Sequence, residues 1–162
     1  GLDDFVKVID FGISKVLGSQ SAITHSRAFT AQEIAALTHT PGKELAKTVI
    51  IKVDGELTMV VLPASEMVRL DHLRESLGTE FVELAEEDEF KSAFPDCETG
   101  AMPPFGNLYG MRVFVDQALR EDDEIAFNAG THRYVIQMDF ADFQRLARPI
   151  RADVAIRSEV LA

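Results

Sequence analysis

A chain of 162 residues, 46% hydrophobic and 27% charged, has the size and balance of one globular domain with one buried core. Its net charge of −11 argues against a general nucleic-acid coat protein, and no apolar run approaches the roughly 20 residues needed to cross a bilayer. Cys97, the single cysteine, has no partner for a disulfide or a zinc site, which suits a reducing cytoplasm.

The expected organisation is one domain over 1–162, with a core at about 17–149, an N-terminal helix and a short tail over 150–162. Leu2, Phe5, Val6, Ile9, Ile13, Val16 and Leu17 recur at helical spacing, which predicts an amphipathic helix over 2–17. Asp10-Phe11-Gly12 matches a kinase magnesium triplet, but nothing upstream supplies a kinase phosphate loop. Thr30 and Glu33 form a capping box, so a short helix is expected there, and Pro41-Gly42 breaks the chain. Residues 47–53 and 56–62 read as two strands joined by Asp54-Gly55, a strong hairpin signal. A helix near 66–77 ending at Gly78, a strand over Phe81–Leu84 and a helix near 86–94 stopped by Pro95 follow.

Residues 99–110 have no period, and their glycines and prolines predict a shaped loop. Strands are expected at about 111–115, 124–128 and 133–138, then a helix at about 140–148; the tail from Pro149 shows no core role. Helices mixed with hairpins, without regular alternation, predict an α+β domain on a mixed or antiparallel sheet.

Charge is unevenly spread. Residues 66–98 hold eleven acids and three bases, and so carry −8 of the −11. The run Glu86–Glu89 reads as a solvated helix start, and it lacks the alternating ligands and glycine of a calcium loop. Acids on both sides of Cys97 would raise its thiol pKa, which argues against a nucleophile. His25, His39, His72 and His132 are too scattered for a local metal pair, and no serine elbow, zinc helix or phosphate-binding loop is present. Three features are left. Lys47 opens an otherwise apolar strand, where it either snorkels or meets an anion. The loop from Gly100 to Gly106 either connects rigidly or aims backbone N–H groups at a carbonyl. Asn128-Ala129-Gly130-Thr131-His132 is a polar turn between apolar strands.

Taken with Ala28-Phe29-Thr30-Ala31-Gln32-Glu33 and Pro41-Gly42-Lys43-Glu44-Leu45-Ala46-Lys47-Thr48, the loop and the turn resemble the YbaK/EbsC family of prolyl-tRNA-synthetase-associated editing domains. The likeness runs from about Leu17 to Pro149, with four motifs in order. It implies a curled, barrel-like mixed sheet flanked by helices, and hydrolysis of the ester joining a wrong amino acid to the 3′ end of a tRNA, with tRNA(Pro) first in line. It implies catalytic roles for Lys47, Gly100, Pro104 and His132, the glycine and proline being the ends of the family's GxxxP motif. Phe29, Thr30, Met102, Phe105, Gly106, Asn128, Gly130 and Thr131 are the implied substrate contacts. No metal or organic cofactor is implied. The implied partner is mischarged aminoacyl-tRNA, with prolyl-tRNA synthetase or an elongation factor supplying affinity to so acidic a chain; neither DNA nor a membrane is expected. The alternatives are a binding module for a tRNA end, nucleotide or synthetase without turnover, and an unrelated small-ester hydrolase.

Overall fold

The computed structural model describes residues 26–29, 45–121, 124–131 and 135–157. The expected helices at 2–17 and after Thr30 lie outside these residues. Ten strands and three α-helices are described. The strands are β1 (Ser26–Phe29), β2 (Leu45–Val53), β3 (Glu56–Pro63), β4 (Glu66–Val68), β5 (Val82–Leu84), β6 (Arg112–Asp116), β7 (Glu124–Asn128), β8 (Val135–Asp139), β9 (Ile150–Ala152) and β10 (Ala155–Arg157). The helices are α1 (Leu70–Leu77), α2 (Glu87–Phe90) and α3 (Phe140–Ala147). None of the described helices is long and apolar enough to cross a membrane.

β2 and β3 form the expected hairpin. Asp54 and Gly55 both take positive φ (53° and 85°), as a two-residue hairpin turn requires. α1 begins at Leu70 rather than near residue 66, because Glu66–Val68 is extended and pairs with β10. It ends at Gly78 in the left-handed region, where the Gly78 and Thr79 N–H groups cap the Glu75 and Arg74 carbonyls. α2 is a single turn held by a capping box between Glu86 and Glu89, continued by a 3-10 turn over Lys91–Ala93.

The main sheet runs β1-β8-β7-β2-β3-β6-β9, with β5 added to β2. It is mixed: β2–β7, β3–β6 and β6–β9 are parallel and the other pairs antiparallel. Among the described residues β1 and β9 do not pair, so the path is open and not the closed ring of a barrel.

Side-chain alternation divides the core between the two faces of the sheet. Ala46, Ile50, Met59, Val61, Phe105, Phe127 and Phe143 belong to one cluster, and Ile51, Val53, Val60, Leu62, Leu73 and Val154 to the other. The tail corrects the sequence reading, which gave it no core role. β9 extends the sheet, β10 pairs β4, and Val154 is fully buried. Buried Asp116 fastens this segment by accepting the Val154 and Ala155 N–H groups on Oδ1 (3.1 and 3.2 Å). Backbone amides aimed at a carboxylate offset its burial.

Candidate active site

β2 is nine residues long, and its edge away from β3 is shared. β7 takes Leu45 and Ala46, and β5 takes Ile51, Lys52 and Val53. Among the described residues no strand pairs with Lys47, Thr48 or Val49 on that edge. Where β7 and β5 leave β2 open, the sheet has a gap.

Lys47 sits at this gap, half-buried. The parallel register ends at Ala46 and Phe127, so Lys47 and Asn128 are the first residues past the last β2–β7 pair. Asn128 pairs with Val135, Val135 with Phe29, and Lys47 with Leu62. Residues from two of the four motifs, Phe29 and Asn128, therefore share a row across Val135, and Lys47 lies one residue past the last β2–β7 pair. No carboxylate among the described residues forms an ion pair with Lys47.

The Gly100 loop bridges the gap from the opposite face. Glu98 N–H donates to Gly130 O (2.8 Å) and Gly130 N–H to Ala101 O (2.9 Å), which ties the loop to the turn after β7. On the other flank Thr99 Oγ1 donates to Glu87 Oε1 (3.0 Å), which ties it to the segment after β5. Gly100 and Gly130 have φ of 85° and 89°, in the left-handed region that favours glycine. Ala101 N–H is committed to Glu98 O (3.0 Å), and Pro103 and Pro104 have no N–H. Among the described residues Gly100 N–H meets the Met102 thioether, a weak acceptor, at 3.3 Å. Exposed Gly100 thus offers a donor that a stronger acceptor displaces at little cost.

Below the loop, Phe105 is fully buried edge-on against Phe127 and Phe143, with centroids 5.6 and 5.8 Å away. A Cβ on Gly106 would lie 2.8 Å from Val113 Cγ2, so close packing by itself accounts for that glycine. Met102 is also buried, at 5% exposure. Asn128 and Thr131 are half-buried at the turn. Thr30 and His132 lie outside the described residues.

Cys97 is half-buried with Sγ 3.8 Å from the Tyr109 hydroxyl. Burial pushes its thiol up, and Asp96 adds a smaller push, so the sequence argument had the direction right and the main cause wrong. No group of three or more potential metal ligands exists among the described residues. A cleft of about 490 Å³ opens at the far end of β2, lined by Lys52, Asp54, Arg74, Phe81 and Glu83 among others. It is away from Lys47 and from the loop. Neither the Thr99–Glu87 tie nor the gap itself shows in the sequence. A Thr–Glu pair twelve residues apart gives no local signal, and the gap arises from pairings between distant segments.

A family model described as an aminoacyl-tRNA editing domain matches residues 25–146. The chain is 29% identical over 132 residues to a multifunctional Ser/Thr-tRNA deacylase, ProXp-y, of Escherichia coli strain K12, covering 78% of each. It is 42% identical over 105 residues to a proline–tRNA ligase of Staphylococcus aureus strain Newman, covering 65% of this chain and 18% of the ligase. The chain thus spans less than a fifth of the length of the ligases it matches. Its fold matches the crystal structure of a candidate trans-editing enzyme for prolyl tRNA synthetase, with a TM-score of 0.72 at 15% identity over 89% of this chain and 94% of that one.

Proposed function

Because the chain belongs to the aminoacyl-tRNA editing domain family, we propose that it deacylates a mischarged aminoacyl-tRNA, with tRNA(Pro) carrying a wrong amino acid as the expected substrate. The observation that carries this reading is the gap in the edge of β2. It has Lys47 and Asn128 on one side and the Gly100 N–H on the other.

Each described group has a role that its position supports, and Thr30 and His132 keep the roles that the family resemblance implies. Lys47, a compact cation without an ion-pair partner among the described residues, holds a phosphate or ribose oxygen of the terminal adenosine. A water oxygen adds to the ester carbonyl carbon, and the carbonyl oxygen takes the negative charge. Gly100 N–H turns from the thioether to that oxyanion; a donor so placed is worth about 10²–10³ in rate. The C–O bond to the ribose then breaks, the ribose oxygen takes a proton, and the free amino acid leaves. An aminoacyl ester is already activated, so a strong protein base is unnecessary. The neighbouring ribose hydroxyl and His132 orient the water. Pro104 fixes the path of the loop without adding a competing N–H. Phe29, Thr30, Met102, Asn128, Gly130 and Thr131 surround the aminoacyl end, and Phe105 and Gly106 support the loop from the core. Prolyl-tRNA synthetase or an elongation factor delivers the tRNA to this acidic chain.

The test is release of amino acid from Ala-, Cys-, Ser- and Thr-charged tRNAs, on tRNA(Pro) and on the cognate tRNAs, with Lys47→Ala as control. Rapid release from one substrate, lost in the control, establishes editing and names the substrate. Release from Ser- or Thr-tRNA rather than tRNA(Pro) moves the specificity toward that of the Escherichia coli relative. No release from any of them, with RNA-end affinity retained, leaves a binding module.

A further inference from the structure

Among the described residues no strand pairs with the outer edge of β5. Its ladder with β2 extends past the strand at both ends, with Asp54 N–H donating to Phe81 O (2.8 Å) and Ala85 N–H to Ile50 O (3.1 Å). Phe81, Glu83 and Ala85 therefore turn their backbone groups toward β2, and Val82 and Leu84 turn theirs outward. Val82 O accepts from Arg74 Nη2 (2.7 Å). Among the described residues the outward N–H and C=O of Leu84 have no partner. Phe81 is 74% exposed and Leu84 56%, and alternation sets them on opposite faces of this edge. An open backbone pair flanked by a large apolar side chain above and below is a template for another strand.

The surroundings select the occupant. Glu80, Glu83, Glu86, Glu87 and Asp88 are exposed around this edge. Of the nearby cations, Lys52 is neutralised by Glu83 and Glu89 at 2.9 and 2.6 Å, and Arg74 is engaged with Val82 O, so the exposed acids outnumber the bases. Such a field repels a phosphodiester backbone and attracts lysine and arginine. We propose that the β5 edge docks an extended, basic segment of a partner protein, which adds as a strand beside Leu84 and covers Phe81 and Leu84 with its apolar side chains. Leu84 pairs with Ile51, four residues from Lys47 along β2, about 13 Å, and the docked strand would lie on the outer edge of β5, one strand further from β2. The proposal does not depend on the deacylase reading.

The test uses the full chain with an alternating lysine–valine hexapeptide and its glutamate–valine counterpart, followed by amide chemical shifts and fluorescence anisotropy. The basic peptide is expected to bind, to perturb residues 81–85, and to weaken about tenfold in the double variant Phe81→Ser, Leu84→Lys, which removes both anchors. Raising salt from about 0.05 to about 0.5 M is expected to weaken it further. Both changed residues are exposed, so the variant keeps its melting temperature and its deacylation rate, which separates failure here from failure of the active-site assignment. Equal binding of the acidic peptide, binding unchanged in the variant, or no binding overturns the proposal. So does a dimer, or single-stranded RNA binding, that the same variant abolishes.

Discussion

β2 carries two lysines, and they have opposite fates. Lys52 is held by two carboxylates, Glu83 and Glu89, which raise its pKa, and its charge is neutralised within the fold. Lys47, five residues earlier on the other face, has no carboxylate partner among the described residues and stands at the gap, just past the last β2–β7 pair. The two are alike in residue type and strand context, and their environments come from elsewhere. An acidic segment crosses one end of β2, and β7 with a glycine-proline loop crosses the other. The role of a strand lysine is therefore set by what packs across it.

The firmest way to break the loop end is from beneath. Phe105→Ala removes a fully buried ring packed on two others, and is expected to cost about 3–5 kcal/mol of unfolding free energy in urea titrations. A cost under about 1 kcal/mol would mean that the loop is not seated on the core. Next comes the contrast of the lysines. Lys47→Ala is expected to lower kcat/KM for deacylation by about 10²-fold or more, and Lys52→Ala to leave it within about twofold. Equal losses would dissolve the comparison, because they would make general positive charge the cause.

A matched pair of glycines sharpens it further. Gly100→Ala and Gly78→Ala both place a Cβ on a residue at positive φ (85° and 68°), and each is expected to cost about 1–2 kcal/mol in stability. Only Gly100→Ala should also slow deacylation, by about tenfold, since a Cβ there crowds the approach to its N–H. Activity lost equally in both variants would assign the effect to strain alone.

Much of this was legible in the chain. Asp54-Gly55 announced the β2–β3 hairpin, Asp139 preceded α3, and Gly78 ended α1, because turns and caps are local chemistry. The motifs singled out Lys47, Gly100 and Asn128 before any pairing was known, but not the gap in the edge of β2. What stayed hidden depends on distant pairing. β9 and β10 are three residues each, too short to show a period, and they form only because β6 and β4 are waiting for them. The parallel β2–β7 register joins residues some 80 apart, so nothing local could show that it ends just before Lys47 and Asn128. The acidic run read as a helix to residue 94 but forms one α-turn and a 3-10 turn, because after Phe90 the chain turns inward to bury Phe94.

The smallest expected effect belongs to the acidic end, and its sign follows from Glu89. Lys52 Nζ donates to that carboxylate and Glu86 N–H adds a second bond, so its pKa lies below its ordinary value of 4.5. A depressed carboxylate contributes stability above its unfolded pKa and loses it as pH falls through the folded one. The urea midpoint is therefore expected to fall from about pH 4.5 downward, and to fall less steeply in Glu89→Gln. Between about pH 6 and 8 the two proteins should run parallel, because Glu89 stays ionised throughout that range. The difference should be small and shrink in high salt, since the pair is exposed. Identical acid limbs would show that Glu89 does not feel Lys52 in solution. Glu83 would then hold Lys52 without Glu89, and the contrast with Lys47 would rest on one ion pair instead of two.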